Sequence, residues 1–158
     1  MLLLWGCENR TFQYVSTVTK NLKYTVNQEG SFNESYSLYA NDFNDDLDLP
    51  ADAIVRGVYI ESFTAAVKEL SENEATQVIM SCYAGKNEVL FANNVILPIK
   101  LNIVYLPINN KLISSGIQSI RDDLEGFIVD SNPPSIAFRI EGNTYPETGE
   151  KIHVEIYI

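Results

Sequence analysis

Oxygen-bearing side chains recur at alternate positions in Asp42-Phe43-Asn44-Asp45-Asp46-Leu47-Asp48. Asp42, Asn44, Asp46 and Asp48 therefore have the spacing with which a calcium-binding loop begins, because a hard cation gathers carboxylate and amide oxygens. Two demanding positions depart from that pattern. Leu47 stands where a glycine makes the sharp turn, and Ala53 stands where a bidentate glutamate supplies the strongest ligand. The expectation is a solvated acidic loop that holds at most a weak Ca2+ site, with no other cofactor.

Other chemistry-bearing residues are scattered. His153 alternates with Ile152 and Val154, which puts it on a solvent face with Glu155 and Tyr157, away from any nucleophile of fixed geometry. Cys82 lies in an apolar segment, where a lone thiol behaves as a small buried hydrophobe. With one histidine and no close cysteine pair, a zinc-ligand spacing cannot be built. Neither a Gly-x-Ser-x-Gly turn nor a glycine-rich phosphate loop is present. The pairs Asp45-Asp46 and Asp122-Asp123 are neighbours in sequence and read as surface charge. No catalytic residues are expected.

The first seven residues carry a different kind of chemistry. An apolar run closes on Leu4-Trp5-Gly6-Cys7, which resembles the lipobox at which a signal peptidase cuts before a cysteine that is then acylated. A secretory signal has a basic start and an apolar stretch of about 7–15 residues. Residues 1–7 are thus expected to be a truncated signal segment, with Cys7 as the lipidation site. The competing expectation is a short apolar strand ending in an ordinary thiol. No other run approaches the roughly 18 apolar residues of a membrane helix.

Charge excludes further classes. The chain has 158 residues with 11 Lys and Arg against 21 Asp and Glu, a net charge of −10. Phosphate-backbone binding needs clustered cations, so no nucleic-acid partner is expected. The same balance disfavours purely electrostatic docking on anionic lipid. A chain of this length buries about 70% of its extended surface without a metal or disulfide staple, so residues 8–158 are expected to form one domain.

The elements that must position these residues are mostly strands. Apolar residues alternate through Leu22–Val26 and again through Phe32–Leu38, with Gly30 between them, which reads as a hairpin. Phe12–Thr19 reads as a leading strand and Ile54–Val67 as a long one. Val78, Met80 and Cys82 share one face of 75–84, and a turn over 83–87 leads to short strands at Leu90-Phe91 and 95–99. Pro98 suggests an edge or a strand end.

Ile113, Ile117, Ile120, Leu124 and Phe127 form the stripe of an amphipathic helix near 110–129. Asn109 or Asn110 is placed to cap it, and Asn132-Pro133-Pro134 prevents its continuation. Gly116 and Gly126 weaken it by about 1 kcal/mol each, so it should exist by docking on a sheet. A second hairpin is expected from Ile136–Ile140 and Ile152–Ile158. The fold class is mainly β: an antiparallel two-sheet sandwich with this one helix.

Several pieces in order carry a resemblance. They are the cysteine leader, the tyrosine- and phenylalanine-bearing hairpin, Asp46-Leu47-Asp48-Leu49-Pro50, Val58-Tyr59-Ile60-Glu61-Ser62, Ala75-Thr76-Gln77-Val78, Asn94-Val95-Ile96-Leu97-Pro98, the helix ending near Leu124-Glu125-Gly126, and Phe138-Arg139-Ile140-Glu141-Gly142. Together the chain resembles small lipoproteins of Gram-negative bacteria, most common among Bacteroidota. The resemblance implies an immunoglobulin-like or related β-sandwich, held by lipid at Cys7 in the bacterial cell envelope, on the outer membrane. It brings no catalytic residues. A non-catalytic binding or structural module that meets a protein or glycan partner is the function expected. The alternatives are a calcium-dependent adhesion module using Asp42, Asn44, Asp46 and Asp48, a hydrolase with an unrecognised site, and a sandwich that holds a lipid under the 113–127 helix.

Overall fold

The computed structural model describes residues 15–39, 41–44, 46–47, 54, 56–130 and 134–158. Alternation sets most of the strands. In Gln77–Ala84 (β4), Val78, Met80, Cys82 and Ala84 point inward while Gln77, Ile79, Ser81 and Tyr83 point out. Lys151–Tyr157 (β8) repeats the pattern with Ile152, Val154 and Ile156 buried, and Ser135–Thr144 (β7) buries Ile136, Phe138 and Ile140. The other strands are Lys23–Glu29 (β1), Phe32–Tyr39 (β2), Thr64–Glu69 (β3), Val89–Lys100 (β5) and Leu106–Pro107 (β6). The helices are a single turn at Asn41–Asn44 (α1) and the long Ser114–Asp130 (α2).

The main path of one sheet runs β1-β8-β3-β5-β4-β7-β2, with β6 added on β3. Neighbours are antiparallel except β3 and β5, which are parallel at Val67↔Ile99 and Lys68↔Lys100. That pair departs from the all-antiparallel expectation. The long β5 follows β4 as far as Pro98, then meets β3 with its last residues. Pro98 therefore sits where β5 changes partner, a place that tolerates a missing N–H.

Neither expected hairpin forms. β1 pairs with β8 and β2 with β7, so Gly30, at φ 71°, turns the chain from one half of the sheet to the other. Residues 145–150 do the same between β7 and β8, and the Gly30 N–H donates to the Glu150 carbonyl across the two corners. β1 and β2 end the strand order yet are consecutive in the chain. The Tyr24 and Tyr36 rings meet edge to face at 6.2 Å, and the Tyr24 hydroxyl reaches the Phe138 carbonyl at 3.4 Å. The sheet is thus curled nearly into a barrel.

Other expectations shift with the pairing. The leading strand is absent from residues 15–19, and positions 12–14 lie outside the described residues. Of the described residues within 54–67, only Thr64 onward is strand. The two short strands around 90–99 are one continuous β5.

The helix appears where its stripe places it. Ile120 and Phe127 are fully buried, with Ile117 and Leu124 packed at the margin of the core. Its start differs in detail. The Ile113 carbonyl accepts from the Ile117 N–H, while Asn109 uses its side chain on the Phe63 N–H and lies in a separate 3-10 turn. Phe43 of α1 packs edge to face on Phe127 at 5.7 Å. Inside, Phe91, Phe138, Met80 and the inward residues of β8 fill one continuous core. Burial of each such side chain contributes about 1.5–3 kcal/mol.

Candidate functional site

The richest outward surface lies on β2, β7 and β4. Strand alternation that buries Phe138 and Ile140 turns Arg139 and Glu141 outward, and the β4–β7 register sets Tyr83 opposite Arg139 and Ser81 opposite Glu141. The Arg139 guanidinium lies over the Tyr83 ring, 4.0 Å from its centroid. Such stacking favours arginine because its planar cation is weakly hydrated. Arg139 also donates to Glu141 at 2.7 Å and to Glu88 at 3.2 Å, and the Tyr83 hydroxyl donates to Glu141. Ser81 and Asn93 extend the polar surface through a 2.8 Å hydrogen bond.

These contacts hold the charges in place. The Tyr83 and Arg139 hydrogen bonds lower the Glu141 carboxyl below its ordinary value, and the same carboxylate raises the Tyr83 phenol and the Arg139 guanidinium. Proton transfer is most efficient from a group that titrates near the working pH. Groups shifted away from neutrality instead offer a fixed pattern of donors, acceptors and one aromatic face. Such a pattern suits recognition of a polar partner surface or a sugar.

A second charged cluster occupies the outer face of β1, β8 and β3. Glu155 accepts from Lys23, from the Tyr157 hydroxyl at 2.7 Å and from Lys68 at 3.3 Å. Lys23 first, then Tyr157, holds its carboxyl down to about 2, so it is a permanent anion near neutral pH. His153, on this outer face as its alternation requires, has its ring Nδ1 against the Ser71 carbonyl, and its backbone N–H donates to Asn73. The histidine clamps a turn.

The residues singled out in the sequence separate. The Asp42 carboxylate accepts from the Tyr39 N–H at 2.7 Å, and Asp46 pairs with the Lys20 ammonium. That ammonium also donates to the Asp42 carbonyl and lies 5.2 Å from the centre of the Phe43 ring. A lysine thus supplies positive charge to this turn. The Asn44 side chain and Asp48 lie outside the described residues, as does Cys7. Among the described residues, no three His, Cys, Asp or Glu side chains converge on a point that would hold a metal.

Cys82 is wholly buried, and burial pushes its thiol up to about 12. Asp123 is not free surface charge: it accepts from the Lys86 N–H at 3.2 Å and holds the β4–β5 turn to α2. A groove of about 420 Å3 lies between α2 and Tyr59-Ile60, with Arg121 and Gln118 on its helical wall.

Sequence reasoning missed the Tyr83–Arg139–Glu141 group. The alternation of 136–141 already turned Arg139 and Glu141 the same way, but only the β4–β7 register adds Tyr83. Comparisons with protein-family models, with curated proteins and with solved structures find no match.

Proposed function

We propose that the chain is a cell-envelope lipoprotein, tethered through Cys7, whose β-domain acts as a non-catalytic binding or structural module. The observation that carries this reading is the apolar run Leu2–Trp5 closing on Gly6-Cys7, ahead of the first described strand at Lys23. The domain's surface chemistry is in keeping with it. Its main clusters, Tyr83–Arg139–Glu141 and Lys23–Glu155–Lys68, are internally hydrogen-bonded. The outer face of β2, β7 and β4 is the surface that meets a protein or glycan, with the Tyr83–Arg139 stack at its centre.

In finer terms the domain is a two-sheet sandwich related to the immunoglobulin-like class. One layer is β1, β8 and β3, the other is β2, β7 and β4, and β5 is shared between them. The two corner crossings, at Gly30 and at 145–150, support this reading, since each carries the chain between layers as sandwich connections do.

Mass spectrometry of the N-terminal peptide, on protein from its own cell, tests the tether. A peptide that begins at Cys7 with added acyl mass is expected. An intact Met1 with an unmodified Cys7 overturns the envelope assignment.

A further inference from the structure

The segment between β5 and β6 runs Leu101-Asn102-Ile103-Val104-Tyr105 and turns its apolar side chains to solvent. Leu101 is 75% exposed, Val104 51%, Tyr105 43% and Ile103 42%. Single exposed apolar residues are ordinary, but four within five positions form a patch that calls for a covering.

Its surroundings indicate what covers it. The Tyr105 ring meets that of Tyr157 edge to face at 6.4 Å, and Tyr157 is the register partner of Lys23, the first residue of β1. The patch therefore adjoins the point where the N-terminal segment joins the sheet. Lysines surround it in a chain that is otherwise strongly acidic. Lys100 precedes the loop, Lys68 is its register partner on β3, and Lys23 lies 6.0 Å from the Tyr157 ring centre. The carboxylate within this group, Glu155, is already engaged by Lys23 and Lys68. Exposed aliphatic side chains beside tyrosines, with three lysines around one carboxylate, are the pattern of an interfacial anchor. In such an anchor the apolar tips enter the acyl boundary while a phenol such as that of Tyr105 and an ammonium such as that of Lys100 meet the headgroups.

We infer that the 101–105 loop docks on a phospholipid bilayer, seating the domain on the membrane beside its tether. This rests on the envelope reading, and it fixes an orientation: the β1–β8–β3 side lies toward the lipid, and the Tyr83–Arg139 surface is left for a partner.

The test uses the full chain with Trp5→Phe and Ile103→Trp, so that the only tryptophan reports on the loop. Cys7 is coupled chemically to a maleimide lipid in phosphatidylcholine vesicles, with coupling confirmed by flotation. The buried Cys82 is protected from the reagent. A blue-shifted emission that brominated acyl chains quench is expected, and adding Leu101→Ser with Val104→Ser should abolish both effects. Emission like that of the free chain, without quenching, overturns the inference. A blue shift that bromine does not quench also overturns it and assigns the loop to a protein contact or a second copy. Because the tether is supplied chemically, the outcome is independent of whether the cell acylates Cys7, which the N-terminal mass decides separately.

Discussion

Gly116 of α2 lies directly against the backbone of Phe91 in β5. A methyl group added at position 116 would stand 2.5 Å from the Phe91 Cα and 2.3 Å from the Leu90 carbonyl oxygen. Alanine ordinarily strengthens a helix interior by about 1 kcal/mol over glycine. Here the opposing atoms are backbone and cannot swing aside, so overpacking outweighs propensity. Gly116→Ala is expected to destabilise the domain by about 1–3 kcal/mol. A lower urea midpoint at unchanged slope is the expected result, and a raised midpoint would show that α2 can lift from β5.

Acid should weaken the domain through Glu155. Its carboxyl titrates near 4.5 ordinarily and at about 2 when held by Lys23, Tyr157 and Lys68. With the folded value depressed, the unfolded chain binds the proton first as pH falls. The stabilisation is therefore complete above about pH 4.5 and is lost progressively toward about pH 2. Glu155→Gln should lower the melting midpoint at neutral pH and flatten its dependence across that window. Parallel curves for the two proteins would show that the cluster is not energetically coupled to folding.

Cys82 should be chemically silent in the folded chain. Its side chain is wholly inside and burial disfavours the thiolate, the form that reacts. In a Cys7→Ser chain, a thiol reagent is expected to find no reactive group under native conditions and one in denaturant. Fast native reaction would mean that β4 opens locally on the timescale of labelling.

Lys20 should make calcium irrelevant to the 41–47 turn. Its ammonium bonds both the Asp42 carbonyl and the Asp46 carboxylate. A ligand that binds only the folded state raises the melting midpoint. Equal midpoints with calcium and with chelator are expected, and Lys20→Ala should lower both alike. A calcium-dependent rise would restore the metal site at Asp42, Asn44, Asp46 and Asp48.

What could be read from the residues alone follows from the range of each interaction. The inward residues of β4, β7 and β8 and the stripe of α2 were legible, because periods of two and about 3.6 are local properties. Partnership was not. Gly30 announces a reversal, yet a left-handed glycine serves a hairpin and a crossing from one end of the sheet to the other equally well, and β1 turned out to belong with β8. The stretch 54–63 is rich in strand formers, yet its described residues have no ladder, since β propensity reflects packing against neighbours more than backbone preference. The meaning of Gly116 was legible only in half. Its cost to the helix was plain, and the strand that requires it was not. Tyr83, Arg139 and Glu141 lie on two strands over fifty positions apart in the chain, so no motif could have gathered them.

The pairing of the first two strands with the last two also governs when the protein can fold. Among the described residues, β1 ladders only with β8, and β2 only with β7. Lys23 must wait for Tyr157, and Phe32 for Gly142. Until then the nascent chain has no completed sheet, and its closure depends on contacts between strands far apart in sequence, which form slowly. The domain therefore takes its closed shape only after β7 and β8 have been made, however early β1 and β2 emerge.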